Sequence, residues 1–196
     1  MKKQILVIVG PTAVGKSALA VWLAKKLNGE VISADSRQVY RGLNIGTGKI
    51  AKKEMRGVPH HLLDVANPKK QFSAADFIRL GRAVIVDIMA RGKTPIICGG
   101  TGFYIAALLG EIELSAVPSN PKLRKKFGGK SAQELFEMLK KIAPARAIII
   151  DPQNPRRLIR AIEIALSKSK EIKVEKNRHT LTLSDSNKLV YPTWEL

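Results

Sequence analysis

The segment of residues 10–17 has the pattern G-x-x-x-x-G-K-S and directly follows the apolar run of residues 5–9. A strand that enters such a loop and continues into a helix directs several backbone N–H groups at one point, where they can hold phosphate oxygens. The helix that follows, over residues 17–27, adds the positive end of its dipole. An ordinary strand-to-helix turn is the alternative, but the strand, the glycines, the lysine and the hydroxyl together favour a phosphate site.

Each part of this loop predicts a separate contact with a phosphate compound. The Lys16 ammonium supplies a positive charge, and the Ser17 hydroxyl can bind Mg2+, which is the cofactor that the pattern predicts. The predicted phosphate-binding residues are Gly10, Pro11, Thr12, Ala13, Val14, Gly15, Lys16 and Ser17. The loop alone leaves open which phosphate compound binds and which reaction follows.

Length and composition predict a globular protein without membrane segments. A chain of 196 residues with 45% hydrophobic residues is long enough for one domain with a small appendage. No apolar stretch approaches the roughly 20 residues that cross a bilayer, and the first residues lead into a strand rather than a signal peptide. The one cysteine, Cys98, permits no internal disulfide and lies in an apolar run typical of a core. We expect a cytoplasmic monomer that does not bind membranes.

The balance of charge predicts a polyanionic partner. Lys and Arg number 34 against 16 Asp and Glu, which gives a formal net charge of +18 and a pI near 10.2. Nucleic acid fits this charge best, because lysine and arginine release condensed counterions when they neutralise backbone phosphates. A membrane surface is less favoured, since the basic residues are dispersed and form no amphipathic anchor helix. A basic surface that serves solubility alone is the third interpretation.

Strand-like and helix-like segments alternate through the first half of the chain, which predicts βαβ units and a parallel sheet. Strands are predicted at 5–9, 30–33 and 94–98, and helices at 17–27, 73–91 and 103–109. Ser73 is expected to cap the second of these helices, with Asp76 three residues later as its capping-box partner. Gly92 then ends that helix.

Three loops of the predicted sheet are expected to form one site. Ligands of parallel sheets bind beyond the carboxyl ends of the strands, where residues 10–17, 35–38 and 99–101 are located. The three loops meet in one crevice if the strand order keeps the second strand beside the other two.

The sequence of the second half of the chain predicts helices and no further strands. Residues 117–126 are rich in proline, asparagine and basic residues and are typical of a linker. A helix is predicted at 130–141, before Pro144, and another at 156–168. Residues 171–196 show weak periodicity and no motif.

Five segments of the chain resemble the family of tRNA dimethylallyltransferases, also called tRNA isopentenyltransferases. They are GPTAVGKS at 10–17, SADSRQVYRGLNIGTG at 33–48, VPHHLLD at 58–64, GGTGFY at 99–104 and NPRRLIRAIE at 154–163. These segments follow the family's order and cover most of residues 5–166. The D-S-R-Q-V-Y and G-G-T-G-x-Y segments are specific to the family, whereas the phosphate loop is shared by a very large class of proteins.

The resemblance implies a fold and a division into domains. The implied fold class is α/β, a P-loop NTPase-like parallel sheet flanked by helices, with a reduced helical insertion. The implied divisions are a catalytic core at 1–115, an insertion of roughly one helix at 116–150, a core or tRNA-contact helix at 151–170 and a C-terminal tail at 171–196. Family members are considerably longer than this chain, and Gly48 replaces the alanine that commonly follows the family's G-T.

The resemblance also implies a reaction and its residues. Family members transfer a dimethylallyl group from dimethylallyl diphosphate to N6 of the adenosine 3′-adjacent to the anticodon of tRNA, and they release diphosphate. Asp35 is implied to accept the proton of the amine and Thr101 to contact the adenine, while Lys16 stabilises the leaving diphosphate. The implied tRNA-binding residues are Asp35, Ser36, Arg37, Gln38, Thr101, Arg124, Arg156, Arg157 and Arg160.

Several alternatives stay open at this point. For Asp35 the alternative is a structural role, as an aspartate in a turn or at a helix N-cap. A truncated, inactive tRNA-binding relic would keep the basic surface, and a small P-loop nucleotide kinase would share the loop and the size. His60 and His61 point in opposite directions in an extended chain, which favours structural or channel roles over metal binding. Phe103 and Tyr104 are expected to pack their helix rather than stack on bases.

Overall fold

The chain divides into two compact units, Met1–Leu114 and Ser115–Leu196. The structure, a computed structural model, describes residues 4–176. The first unit holds a parallel sheet with helices on both faces, and the second is helical in its described part. The predicted α/β class with a parallel sheet is therefore confirmed.

Parallel strands form the sheet of the first unit. They are β1 (Leu6–Val9), β2 (Gly29–Ser33), β3 (His60–His61) and β4 (Thr94–Gly99), in the order β1-β4-β2-β3. Strands β1, β2 and β4 agree with the predicted strands to within about one residue at each end, which is the ordinary uncertainty of an element boundary. Strand β3 was not predicted, because a strand this short leaves no alternating pattern in the sequence.

Helices accompany these strands in the first unit. They are α1 (Lys16–Lys26), α2 (Lys52–Met55), α3 (Ala74–Ala90) and α4 (Gly102–Leu109). The predicted start of α3 is confirmed, since the Ser73 hydroxyl accepts a hydrogen bond from the Asp76 amide and Asp76 Oδ2 accepts one from the Ser73 amide at 3.0 Å. This reciprocal cap satisfies two N–H groups that the helix would otherwise leave unpaired.

Hydrophobic residues on both sides of the sheet hold the helices in place. Neighbouring residues of β4 point to opposite faces, so that Ile97 packs with Phe77 of α3 while Ile96 packs with Ala20 of α1. All four side chains are fully buried, and burial of both faces is typical of parallel sheets. Strand β1 departs from this rule, because Val9 is 62% exposed.

The second unit contains more helical structure than the sequence indicated. Its described helices are α5 (Pro121–Phe127), α6 (Ala132–Ile142), α7 (Pro144–Ile149) and α8 (Pro155–Lys176). The prediction of a linker at 117–126 is wrong, because α5 occupies most of it. Asn120 Oδ1 accepts a hydrogen bond from the Leu123 amide at 3.1 Å and Pro121 takes the first helical position, so residue types common in linkers here start a helix. Residues 116–150 therefore contain the three helices α5, α6 and α7, while the assignment of this stretch as an insertion stays a prediction.

Helices α6 and α8 form the core of this unit. They meet through Leu139 and Ile162, which are both fully buried. Helix α8 continues to Lys176, beyond its predicted end at residue 168. The greater part of the predicted tail, residues 177–196, lies outside the described residues. Among the helices of residues 4–176, none is long and apolar enough to cross a membrane.

Candidate active site

The carboxyl ends of β1, β4 and β2 lie side by side, because β4 lies between the other two strands. Gly99, at the end of β4, approaches β2 so closely that a Cβ atom on it would lie 2.1 Å from the Ala34 carbonyl oxygen. A Cβ atom on Gly100 would lie 3.6 Å from the carbonyl oxygen of Gly10, where the phosphate loop begins. The expected meeting of the three loops at one edge of the sheet is thus confirmed.

The phosphate loop connects β1 to α1 through backbone conformations that few residues adopt. Gly15, directly before α1, has a φ of 84°, and Ala13 has a φ of 67°. A left-handed φ costs glycine little and alanine more. The Lys16 ammonium donates a hydrogen bond to the Pro11 carbonyl, so the side chain folds back over the loop. The Ser17 side chain is exposed in the first turn of α1.

The Asp35 carboxylate is held at the end of β2 by the backbone that follows it. Its Oδ1 atom accepts hydrogen bonds from the amides of Arg37 at 2.8 Å and Gln38 at 3.2 Å. This is the turn arrangement that the sequence left open as another role for Asp35. The turn uses one carboxylate oxygen and fixes the direction of the side chain, while Oδ2 stays available to accept a proton or a hydrogen bond.

Thr101 is joined to the end of β2 by two hydrogen bonds. Its Oγ1 atom accepts one from the Ser36 amide at 3.0 Å, and its own amide donates one to the Ala34 carbonyl at 3.2 Å. These bonds place Thr101 beside the segment that carries Asp35, although the two residues are far apart in the sequence. Helix α4 begins at the next residue, Gly102, so its N-terminal end lies at the same edge of the sheet.

Gln38 and Arg37 differ in how they are placed. The Gln38 Nε2 atom donates to the carbonyls of Thr47 at 3.3 Å and Gly48 at 3.2 Å, and Oε1 accepts a hydrogen bond from the Ser33 hydroxyl at 3.4 Å. The Arg37 side chain is exposed. Arg37 is therefore free to reach a large partner, whereas Gln38 orders the loop that ends near residue 48. Contact of either side chain with tRNA stays a prediction.

The four arginines predicted to bind tRNA in the second unit fall into two groups. Arg124 and Arg160 both bind Glu163, a carboxylate that is 1% exposed and that the sequence analysis missed. Arg124 Nε donates to Glu163 Oε1 at 2.9 Å, and Arg160 Nη1 donates to Oε2 at 3.2 Å. Arg156 and Arg157 are exposed at the start of α8. The tRNA contacts of all four stay predictions, but Arg124 also links α5 to α8 through Glu163.

A second buried carboxylate, Glu30, lies near the start of β2 and away from the candidate site. It is 2% exposed and accepts hydrogen bonds from Arg91 Nη2 at 2.8 Å and Lys93 Nζ at 2.7 Å, while His61 Nε2 lies 2.7 Å from its Oε2. The hydrogen bonds from Arg91 contribute most to holding the pKa of Glu30 well below its usual range. His61 thus has a carboxylate partner, and the described part of the chain contains no group of three or more potential metal ligands.

The two aromatic residues after Thr101 have different environments. Tyr104 is 7% exposed and its ring stacks on Phe77 with centroids 4.4 Å apart, which confirms its predicted packing role. The same prediction is wrong for Phe103, which is 51% exposed. Consecutive helical residues point about 100° apart, so a short helix on a sheet cannot bury both rings equally.

A parallel α/β sheet with a G-x-x-x-x-G-K-S loop between its first strand and first helix defines a P-loop protein. Comparison with known proteins identifies the family within this class. The family model described as IPP transferase matches residues 38–193. The chain belongs to the IPP transferase family.

Curated relatives of the chain carry the name tRNA dimethylallyltransferase. The chain is 51% identical to the protein of Anoxybacillus flavithermus over 164 residues, which are 84% of this chain and 53% of that protein. It is 46% identical to the protein of Halalkalibacterium halodurans over 183 residues, which are 91% of this chain and 58% of that protein. The chain therefore spans little more than half the length of the curated relatives it matches.

Solved structures agree with this assignment. A eukaryotic dimethylallyltransferase described as acting on tRNA has a TM-score of 0.74 and 32% identity, over 93% of this chain and 46% of that one. The full-length tRNA isopentenylpyrophosphate transferase of Bacillus halodurans has a TM-score of 0.57 and 47% identity, over 83% of this chain and 55% of that one. Both likenesses support the P-loop NTPase-like fold.

Proposed function

We propose that this chain transfers a dimethylallyl group from dimethylallyl diphosphate to N6 of the adenosine 3′-adjacent to the anticodon of a tRNA, with release of diphosphate. The observation that carries the proposal is the hydrogen bond of 3.0 Å between the Ser36 amide and Thr101 Oγ1. It joins the loop of Asp35 to the loop of Thr101, and both loops lie beside the predicted phosphate loop. The reaction requires this arrangement, because the acceptor base and the diphosphate donor must bind next to each other. The names of the relatives support the same reaction.

In this proposal the phosphate loop serves the leaving group. When the allylic C–O bond of the donor breaks, its electron pair stays with the diphosphate, and negative charge builds on the oxygen that leaves. The backbone N–H groups of the loop and the positive end of α1 stabilise that charge. The Lys16 ammonium adds its own charge when it exchanges the Pro11 carbonyl for a phosphate oxygen.

The residues of the loop fit a Mg2+ ion that is held jointly with a diphosphate. Mg2+ prefers octahedral oxygen coordination and commonly binds one or two protein oxygens together with substrate phosphates and waters. The exposed Ser17 hydroxyl offers one such oxygen at the start of α1, and residues 4–167 hold no carboxylate cluster that would bind the ion without phosphate. Ser17 would therefore hold Mg2+, which neutralises diphosphate charge as a Lewis acid.

Asp35 and Thr101 serve the acceptor. Adenine N6 forms the new bond to the allylic carbon and loses one proton, which Asp35 Oδ2 accepts. Oδ1 remains bound to the amides of Arg37 and Gln38, which keep the carboxylate in place during the transfer. Because Thr101 Oγ1 accepts from the Ser36 amide, its hydroxyl hydrogen is free to bind the base. An adenine in this site has to leave the stack of its loop.

The charge of the protein supports tRNA as the partner. A net charge of +18 favours a polyanion, and Arg37, Arg156 and Arg157 offer exposed guanidinium groups for backbone phosphates. The proposal includes a cytoplasmic location, where tRNA is available, and a monomer as the active form.

The direct test is a transfer assay. The chain is incubated with Mg2+, dimethylallyl diphosphate and an unmodified tRNA that has adenosine after the anticodon, and the nucleosides are analysed by mass spectrometry. We expect N6-dimethylallyladenosine with the wild type and none with Asp35→Asn, which keeps the turn but accepts no proton. Asp151→Asn is the matched control, since Asp151 Oδ1 accepts the Gln153 amide at 2.9 Å in a similar turn. Equal product from both variants would contradict the role of Asp35.

Binding of tRNA without transfer is the second candidate, because the chain matches 53% of the Anoxybacillus flavithermus protein. A full-length relative serves as the positive control of the assay. Binding of tRNA by the wild type, with product from the relative alone, would assign the chain to this second function.

A further inference from the structure

We propose that Lys49 and Asp64 form a positioning pair for residues 35–38, the segment on the RNA side of the candidate site. This inference rests on the proposed function and extends it to two residues outside the predicted site. The Lys49 side chain is 5% exposed, and its ammonium lies 2.5 Å from Asp64 Oδ1. A lysine this enclosed persists when partners compensate for its lost hydration, so its contacts are a built feature although the Asp64 side chain is 48% exposed.

The pair connects three stretches of the first unit. Besides binding Asp64, the Lys49 ammonium donates to the Tyr40 carbonyl at 2.8 Å. Arg41 Nε donates to the Asp64 carbonyl at 2.9 Å. The loop that ends at Lys49, the backbone at residues 40 and 41 and the turn at Asp64 are thereby held together.

Hydrogen bonds lead from this pair to the Asp35 carboxylate. The Asp64 amide donates to the Gln38 carbonyl at 3.3 Å, and the Gln38 amide donates to Asp35 Oδ1 at 3.2 Å. The Gln38 side chain donates to the carbonyl of Gly48, the residue before Lys49, at 3.2 Å. Both the backbone and the side chain of Gln38 are therefore bound to groups that the ion pair holds in place.

The conformation of Asp64 shows that this turn depends on its contacts. Asp64 has a φ of 56°, in the left-handed region that residues with a side chain rarely adopt. The backbone of such a residue is strained, and the conformation persists where its surroundings hold it. Loss of the ion pair lets the turn relax, and the Gln38 carbonyl then loses its partner.

The variant Asp64→Asn separates positioning from simple electrostatics. It removes a negative charge from a protein of net charge +18, so electrostatics alone predicts tighter RNA binding. Positioning predicts the opposite sign, because the uncharged asparagine oxygen holds the ammonium more weakly than the carboxylate does. We expect about tenfold weaker binding, the size typical of coupling within one hydrogen-bond network. The double variant with Lys49→Met keeps the wild-type net charge and is expected to bind RNA as weakly as either single variant.

The experiment measures two ligands with each variant. Affinity for a labelled anticodon stem-loop is measured by fluorescence anisotropy, and affinity for diphosphate with Mg2+ by calorimetry. We expect weaker RNA binding for Asp64→Asn and Lys49→Met, with diphosphate affinity within about twofold of the wild type, as expected for a site outside the network. Lys130→Met is the matched control, since it removes the same charge from an exposed pair whose Lys130 Nζ lies 3.2 Å from Glu134.

Each outcome decides the inference. RNA binding by Asp64→Asn that equals or exceeds the wild type overturns it, and so does a parallel loss of both ligands, which would make the pair a general stability element. If the wild type binds no RNA, the proposed function fails, and amide hydrogen exchange without RNA then tests the pair alone. Faster exchange at Arg37 and Gln38 in Lys49→Met supports positioning, while unchanged exchange overturns it.

Discussion

Gly99 is the glycine of the candidate site that leaves the least room for a side chain. An alanine Cβ there would lie 2.1 Å from the Ala34 carbonyl, and this backbone atom cannot turn aside as a flexible side chain can. Gly99→Ala should separate the ends of β2 and β4 and lower the free energy of unfolding by about 3 kcal/mol, the upper range for overpacking. Urea denaturation measures this loss. Gly102→Ala is the control, because its Cβ meets nothing within 4 Å, and equal stability of the two variants would contradict the close approach.

Glu30 makes stability depend on pH in a defined direction. Its pKa in the folded state lies well below its ordinary value of 4.5, so its stabilising effect is complete above pH 4.5 and is lost as the pH falls towards the folded pKa. Glu30→Gln should lower the free energy of unfolding at pH 7 by about 2 kcal/mol, which is the contribution typical of hydrogen bonds to a charged group. It should also lose less stability than the wild type between about pH 5 and pH 3.

Urea denaturation across this pH range tests the assignment. The control is Glu137→Gln, which removes a carboxylate that is 51% exposed and pairs with Lys140. That variant should follow the wild-type pH profile, because exposed pairs contribute little. An unchanged profile for Glu30→Gln would show that the buried network does not contribute to acid sensitivity.

Helices α5 and α8 carry two arginines that bind the buried Glu163 and two arginines that are exposed. Arg124→Ala and Arg160→Ala leave the buried Glu163 with fewer partners and should lower the stability of the second unit by about 1–3 kcal/mol each. Arg156→Ala and Arg157→Ala remove the same charge and should weaken tRNA binding without changing stability. Thermal unfolding and tRNA binding are compared across the four variants. Equal stability of all four would contradict the structural role of the pair at Glu163.

The strands and helices whose ends are marked by neighbouring residues could be predicted from the sequence. Those that depend on less local features could not. β1, β2 and β4 are apolar runs that end at polar or glycine residues, and α3 begins with a complete capping box at Ser73. The polar residues that follow these strands indicated the candidate site, because ligands of parallel sheets bind beyond the carboxyl ends of the strands. In contrast, β3 exists through its pairing with β2, and α5 begins with residues that also occur in linkers. Arg91 is distant in the chain from Glu30, and Arg124 from Glu163, and no periodicity encodes such pairs.

For the whole molecule, the net charge of +18 predicts a strong dependence of tRNA binding on salt. Each phosphate that the protein neutralises releases condensed counterions, so the logarithm of the association constant falls linearly with the logarithm of salt concentration. Between about 50 and 200 mM salt we expect the affinity for tRNA to fall by about 100-fold or more, which is the size expected when several phosphates are contacted. Titration of a labelled tRNA at four salt concentrations measures the slope. A flat response would contradict RNA as the partner.

The same charge is expected to control self-association at the edge of the sheet. Within the described residues β1 pairs with β4 alone, and Val7 and Val9 are 39% and 62% exposed beside its unpaired edge. An apolar unpaired strand favours pairing with a second copy, whereas a high net charge opposes it at low salt. Salt reduces the Debye length from about 30 Å at 0.01 M to about 10 Å at 0.1 M, so added salt should convert a monomer into associated forms.

The variant Val9→Lys tests whether this edge is the cause. A lysine at an exposed edge strand blocks pairing, so the variant should stay monomeric at salt concentrations at which the wild type associates. Light scattering after size-exclusion chromatography measures the mass. The control is Val86→Lys, which adds the same charge at a residue of α3 that is 58% exposed. If Val86→Lys suppresses association as well as Val9→Lys does, total charge governs the behaviour and the edge of β1 does not.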